Sequence, residues 1–404
     1  MLTVADRQFI QAHLDDDPAR LLLAAHRYPG VQVSLAVAQL QALRKVRTKI
    51  PGWYRPDLIM PPPVSVEQAS SEAAARFKAG LFAGQSMADL TGGMGVDTFF
   101  FARQFGAVTY VEQQPELVEA ARHNFALLGA TNIQCLNDTA DAFLQASSGL
   151  LDLIYLDPAR RDDRMGRVFQ LEDCQPNVLE MKARLLAAAK RVLLKTAPLF
   201  DLHRAVKQLG AVSHIWVVSV GHECKEVLYL LEPQHPLPDD IPIEAVGLGG
   251  SGDYTFRFTW REEGAPAAPY SVPMRFLYEP EAALLKAGAF QAFARRFGLA
   301  KLHPNTHLYT SEEFRPQVPG RSFRIEAVLR YDRKAVRGLI PDGRANITVR
   351  NFPDPVARIR QKLGLADGGE WYLFAATDAA HRKILLACRR LLDRGGEDPT
   401  SLPA

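Results

Sequence analysis

From Ser86 to Glu232 the chain alternates short apolar runs with stretches of helical periodicity, and no other feature narrows its possible folds as far. SMADL, AVTYVE, NIQCLN, LLDLIYLD, RVLLKTA and SHIWVVSV read as strands. DTFFFARQF, PELVEAARHNFALLG, DTADAFLQA, VLEMKARLLAAAK and DLHRAVKQLG, set between them, carry apolar residues at three- and four-residue spacing. KEVLYLLE closes the series. Strict alternation predicts an α/β, Rossmann-like, doubly wound parallel sheet, here with an antiparallel last strand.

The flanks read differently. Residues 1–50 are helical in pattern, and the second helix ends in Arg44, Lys45, Arg47 and Lys49. Cations there favour a helix C-terminus and also suit phosphate. The proline-rich stretch 51–63 reads as a linker. Ser65 and Gln68 fit a capping box opening one helix through SVEQASSEAAARFKAGLF. A second proline-rich break lies at 233–242. Beyond it TFRFTW, RSFRIEAVLRYD and ANITVRNF read as strands, EAALLKAGAFQAFARRFG and DPVARIRQKLGLA as helices, and WYLFAATD with HRKILLACRR as a closing strand pair. Without strict alternation this part is expected to be α+β.

Charge distinguishes the two ends. The formal net charge is +3, yet Ser271–Ala404 holds 22 Lys and Arg against 14 Asp and Glu, a balance of +8. The preceding residues therefore carry −5. A basic third on an acidic body points to a polyanion partner. No apolar run reaches the roughly 18–20 residues of a membrane span, and the N-terminus lacks the pattern of a signal peptide. Cys135, Cys174, Cys224 and Cys388 are widely spaced, which argues against a disulfide framework and a structural zinc site; a reducing cytoplasm is expected.

The chemistry sits at strand ends. In ADLTGGMGVD, Asp89 ends a strand and Gly92, Gly93 and Gly95 allow a tight turn into a helix. Glu112 ends the next strand, where an acid is placed to accept from a ribose diol. Asp138 ends the third and suits an adenine amino group; Asp157 and Pro158 end the fourth. In an open parallel sheet the ligand crevice lies along these ends. The loop does not match G-x-G-x-x-G, and no GxxxxGK[ST] loop occurs. Asp89 before the turn and Asp97 after it would repel a pyrophosphate but suit a sulfonium and an ammonium, which points to S-adenosylmethionine.

On these residues the chain resembles the class I S-adenosylmethionine-dependent methyltransferases. DLTGGMGVD is similar to their first motif, which implies cofactor contacts from Asp89, Thr91, Gly92, Gly93, Gly95 and Asp97, with Glu112, Asp138 and Asp157 completing the shell. DPAR at 157–160 resembles the (D/N)PPY motif of enzymes that methylate amino groups of nucleic-acid bases, with Ala159 and Arg160 in place of the second proline and the aromatic. KIPGWYRPDLIMPPPVSVEQASSEAAARFKA, LYEPEAALLKAGAFQAFARRFGLAKLHPNTHLYTS and ANITVRNFP narrow the resemblance to a bacterial group with a ferredoxin-like insert and a THUMP-like C-terminal domain. That implies a helical region and linker over 1–62, a methyltransferase domain over 63–235, a ferredoxin-like domain over 236–340 and a THUMP-like domain over 341–404. THUMP domains are similar to RNA-binding modules of tRNA- and rRNA-modifying enzymes, so structured RNA is the expected partner.

The expected catalytic set is Asp157, Pro158, Arg160 and Lys195. Asp157 and the Pro158 carbonyl would accept hydrogen bonds from a base amino group, Arg160 would stack on a base or bind phosphate, and Lys195 would contact substrate. Arg160–Arg164 forms a charged loop read as solvated or phosphate-binding. Ser70, Ser71 and Glu72 lie on a helix that is either plain surface or cofactor-side. Gly221-His222-Glu223-Cys224 lacks the partners of a metal site, and His303, His307 and Tyr309 read mainly as turn or packing residues. The competing readings are a methyltransferase of protein or small molecules and an inactive RNA-binding protein.

Overall fold

A computed structural model describes residues 2–160, 171–249 and 252–391. The chain forms two compact units: Met1–Ile215 with Glu226–Pro236, and Trp216–Lys225 with Leu237–Ala404.

The first unit is built on β1 (Gly84–Asp89), β2 (Phe105–Glu112), β3 (Ile133–Asn137) and β4 (Leu153–Leu156). A two-residue ladder, β5 (Ala159–Arg160) with β6 (Cys174–Gln175), follows. Then come β7 (Val192–Thr196), β8 (Val212–Val220), which leaves this unit after Ile215, and β9 (Glu223–Leu231), which re-enters it at Glu226. Within this unit the order is β9-β7-β4-β1-β2-β3. Strands β1, β2, β3, β4 and β7 run parallel, and β9 lies antiparallel to β7. This is the Rossmann-like sheet with an antiparallel strand that the alternation predicts. Strands β4 and β7 are buried along their whole length, as residues covered on both faces must be. Parallel pairing brings Asp89, Glu112, Asp157 and Lys195 to one sheet edge.

Local chemistry sets the helix starts. Pro115 occupies the first turn of Pro115–Leu127, and Asn177 and Asp201 cap Val178–Ala188 and Leu202–Leu209 with side-chain oxygens. The basic end of helix Val33–Lys49 is tied to its own unit: the Arg44 guanidinium donates to the Leu14 and Asp16 carbonyls, and Lys45 pairs with Glu67.

The Ser65–Gln68 capping box is not what forms. Pro63–Gln68 is a short helix with no side-chain cap, and a second helix, Glu72–Gly80, starts after a break. Pro63 initiates the first without needing an N–H partner, and the Ser71 side chain accepts from Ala74 N to cap the second. Glu72, at its first position, accepts from Gly52 N at 2.8 Å.

The second unit carries a seven-stranded mixed sheet. Its members are β12 (Phe276–Pro280), β13 (Ala300–Lys301), β14 (Tyr309–Ser311), β15 (Gly320–Arg330), β16 (Asn346–Arg350), β17 (Trp371–Thr377) and β18 (Lys383–Arg390), after an antiparallel pair, β10 (Ile243–Leu248) and β11 (Tyr254–Phe258). The sheet order is β13-β14-β12-β15-β18-β17-β16. Val336, Ile359 and Leu363, from helices Arg333–Leu339 and Val356–Leu363, pack with Leu373, Leu385 and Ala387. Phe323, Phe374, Leu386 and Cys388 belong to a second core cluster. WYLFAATD and HRKILLACRR form the expected antiparallel pair, β17 with β18. The expected helix EAALLKAGAFQAFARRFG is two helices, Ala282–Ala287 and Gln291–Phe297, because Gly288 takes a left-handed φ of +78° and ends the first.

Ser71→Ala should lower the unfolding free energy by about 1 kcal/mol in urea denaturation, as loss of an N-cap does, whereas Ser65→Ala should change it by less than about 0.5 kcal/mol.

Candidate functional site

The glycine turn after β1 is held by side chains of β1 and β2 and by backbone groups of the neighbouring strands. Gly92 N donates to Val111 O at 2.9 Å, and Gly93 N donates to Glu112 Oε2 at 3.0 Å. The Tyr110 hydroxyl donates to Gly93 O at 2.7 Å. A Cβ at Gly92 would stand 2.2 Å from the Tyr110 ring, so no larger residue fits. Gly95, at φ +85°, starts helix Val96–Phe101 in a left-handed conformation that favours glycine. Thr91 ties the turn to the next edge position, its Oγ accepting from Asp157 N at 2.6 Å.

Asp89 is the internal brace. Its carboxyl accepts from Thr91 N at 3.1 Å and from the Thr98 hydroxyl at 2.6 Å. Burial pushes its pKa up to about 7, against the hydrogen bonds from Thr98 and Thr91 and with the repulsion of Asp97 and Asp157. Glu112 Oε1 accepts from Gln114 N at 2.9 Å, so both its oxygens order backbone and each keeps a further lone pair. Asp138 is exposed beside it, with its N donating to Glu112 O at 3.2 Å.

Behind the turn lies a buried ionic cluster. The Asp97 side chain, 10 % exposed, accepts at Oδ2 from the Ser70 hydroxyl and the Tyr155 hydroxyl, each at 2.8 Å. Lys78, fully buried, sits 3.2 Å from Asp97 Oδ1. Its ammonium donates to Ser70 Oγ at 2.9 Å and to Glu226 Oε1 and Oε2 at 2.8 Å each. The Glu226 side chain, on β9, is 2 % exposed. Burial acts to raise the Asp97 pKa, but the charges of Lys78 and Lys195 outweigh it and hold the carboxyl below its ordinary range. Asp97 Oδ1 has no hydrogen-bond partner among the described residues.

At the mouth, the Lys195 ammonium donates to Asp157 Oδ2. Their side chains are 10 % and 34 % exposed, so the carboxylate is the more open partner. Burial acts to lower the Lys195 pKa, yet Asp157, Glu226 and Asp97 carry it above its ordinary value. Lys195 therefore remains an ammonium and a donor, not a base.

Asp89, Thr91, Gly92, Gly93, Glu112, Asp97, Asp157 and Lys195 are thus linked along one sheet edge. Pro158 is half-buried after Asp157. The Arg160 side chain and Arg161–Arg164 lie outside the described residues. Ser70 reaches the cluster, whereas Ser71 and Glu72 serve helix and linker. In the second unit His222 pairs with Glu281, His307 stacks on Phe290 at 3.7 Å, and His303 contacts His381 at 3.3 Å. Sequence reasoning missed Lys78 and Glu226. Its one available signal was a lysine and a glutamate on apolar faces, with Ala74, Ala75 and Phe82 at helical spacing from Lys78 and Cys224 and Leu228 at strand spacing from Glu226.

The arrangement suits a cationic ligand: three carboxylates (Asp97, Asp157, Glu226) face two ammonium groups. Among the described residues no group of three or more His, Cys, Asp and Glu is placed to hold a metal ion, and no helix is long and apolar enough to cross a membrane.

Residues 276–319 match the ferredoxin-like domain family and residues 320–390 the THUMP domain-like family. A candidate methyltransferase from Porphyromonas gingivalis W83 is 32 % identical and has a crystal structure that matches with a TM-score of 0.86, over 97 % of this chain and 100 % of that one. Uncharacterized S-adenosylmethionine-dependent methyltransferases of two Mycobacterium tuberculosis strains, CDC 1551 / Oshkosh and ATCC 25618 / H37Rv, are 24 % identical over 311 residues, 74 % of this chain and 80 % of each relative.

Asp89 titrates above its unfolded value of 3.8. Between about pH 4 and 7 the folded chain keeps a proton that the unfolded chain has released, so this group's contribution to stability falls as pH rises through about 7. Asp89→Asn, which mimics the protonated acid, should gain stability relative to wild type as pH rises from about 4 to 7, and hold that gain above it, in denaturant titrations. A difference independent of pH would contradict the assignment.

Proposed function

This chain belongs to the S-adenosylmethionine-dependent methyltransferases with ferredoxin-like and THUMP-like C-terminal domains, and we propose that it methylates an amino nitrogen of a base in structured RNA, a tRNA or an rRNA. The observation that carries the cofactor part is Asp97 Oδ1: a buried carboxylate oxygen that accepts no hydrogen bond among the described residues, although it is ion-paired at 3.2 Å with an ammonium whose protons are engaged elsewhere. A buried acceptor that receives no hydrogen bond is costly unless a ligand supplies the donor. The ammonium of S-adenosylmethionine is such a donor. Asp89, Thr91, Gly92, Gly93 and Gly95 would shape the turn around the methionine part, Glu112 would accept from the ribose hydroxyls, and Asp138 from the adenine amino group.

Bound S-adenosylmethionine supplies an electrophilic methyl carbon. The chain's task is then alignment and proton handling. Asp157 Oδ and the Pro158 carbonyl would accept the two N–H bonds of a base amino group and turn its lone pair toward the crevice. Lys195, held protonated, would donate to an adjacent ring nitrogen or carbonyl. Asp157, with side-chain exposure of 34 %, would take the released proton or pass it to solvent. The proton-accepting role falls to the carboxylate because the lysine is already charged.

The RNA part rests on the match of residues 320–390 to the THUMP domain-like family and on the +8 balance of Ser271–Ala404. Arg160 replaces the aromatic of the resembling motif, and a guanidinium plane serves stacking and phosphate contact together.

Tritiated S-adenosylmethionine added with the protein to RNA from a strain lacking it should label one nucleoside, identified by mass spectrometry. Label in protein or metabolites instead would favour the other methyltransferase reading. Asp157→Ala should reduce transfer at least about 100-fold, on the scale of a lost acid–base group, while the calorimetric affinity for S-adenosylhomocysteine stays near wild type. RNA affinity of the full chain should fall steeply as salt rises from 50 to about 200 mM. A flat salt profile would count against phosphate contacts.

A further inference from the structure

Glu226 lies 148 positions from Lys78 in sequence, on the antiparallel strand β9, outside every motif that the glycine turn defines. Neither residue belongs to the shell expected to touch a ligand. Both are buried, and a buried ion pair is weak evidence for stability, since apolar residues of similar volume often serve a core as well or better. Its placement is more informative. The Lys78 ammonium has three protons and three acceptors: Ser70 Oγ, Glu226 Oε1 and Glu226 Oε2. Asp97 Oδ1 lies only 3.2 Å from the same nitrogen and receives no hydrogen bond among the described residues. The lysine is thus close enough to neutralise Asp97 by charge while its protons are directed away from it.

We propose that Glu226 is a positioning residue: it engages the Lys78 ammonium and so keeps the buried Asp97 Oδ1 free of a protein donor, to be met by the ammonium of the incoming cofactor. Without Glu226 the nearest anion for Lys78 is Asp97, and the protons freed would turn to Oδ1. The pocket would then hold a cation where the ligand's cation must go. Ser70 completes the device, accepting from Lys78 and donating its hydroxyl proton in a hydrogen bond to Asp97 Oδ2, so that Oδ1, although 3.2 Å from the Lys78 nitrogen, is the oxygen left without a donor among the described residues. The inference rests on the cofactor reading above and gives Glu226 a role in it.

Calorimetry on the full chain separates the alternatives. S-adenosylhomocysteine carries the ammonium, whereas methylthioadenosine keeps the nucleoside and lacks the amino-acid end. Glu226→Gln should weaken S-adenosylhomocysteine on the order of tenfold, the value of one charge-assisted hydrogen bond, and leave methylthioadenosine within about twofold. The double variant Lys78→Met with Glu226→Gln removes the competing ammonium and should restore S-adenosylhomocysteine affinity. Equal weakening of both ligands, or no recovery in the double variant, would make the pair merely structural and overturn the proposal. Unchanged affinity in Glu226→Gln would also overturn it. If wild type binds neither ligand, the cofactor reading falls first and this proposal with it.

Discussion

Charge burial at the carboxyl edge of the parallel sheet is the constraint on which the rest of the first unit depends. Asp97 and Glu226 are removed from water, and each buried carboxylate would cost several kcal/mol if left unpaired. Lys78 compensates both from the helix before β1, and Lys195 does the same for Asp157 from the end of β7. The compensation reaches across the sheet, from the helix after the glycine turn to the antiparallel strand. It fixes where that helix, that strand and the turn stand relative to one another.

The pairing is incomplete in one place, and that gives the edge its chemical character. Asp89 has both oxygens occupied by Thr91 and Thr98, and Glu112 uses its oxygens to hold Gly93 and Gln114. Asp97 alone of these three retains a buried oxygen without a donor among the described residues. Bracing and binding are therefore divided among acids that look equivalent in sequence. Asp89, protonated up to about pH 7, acts chiefly as an internal support, whereas Asp97, held ionised, offers charge to a ligand.

Much of the sheet was legible because its signals are local. Apolar runs covered on both faces, glycine turns and strand-end acids all lie within a few residues of one another, and parallel pairing then collects them at one edge. Lys78 and Glu226 were not legible for the opposite reason: their meaning depends on a contact between a helix and a strand far apart in sequence. The Ser65–Gln68 capping pattern failed because Pro63 already starts a helix there, while Ser71 caps the next. The long helix expected over 281–298 failed at Gly288, a residue read as a helical interior where its left-handed φ makes it an end.

The central claim is that a cationic cofactor is seated against Asp97 in a cluster otherwise balanced by Lys78, Glu226 and Lys195. A crystal structure of the full chain with S-adenosylhomocysteine tests it most directly. The account predicts the ligand's amino nitrogen within hydrogen-bond distance of Asp97 Oδ1, about 3 Å, with Lys78 still engaged by Glu226. A ligand whose amino group lies elsewhere, with the Lys78 ammonium turned onto Asp97 Oδ1, would contradict it.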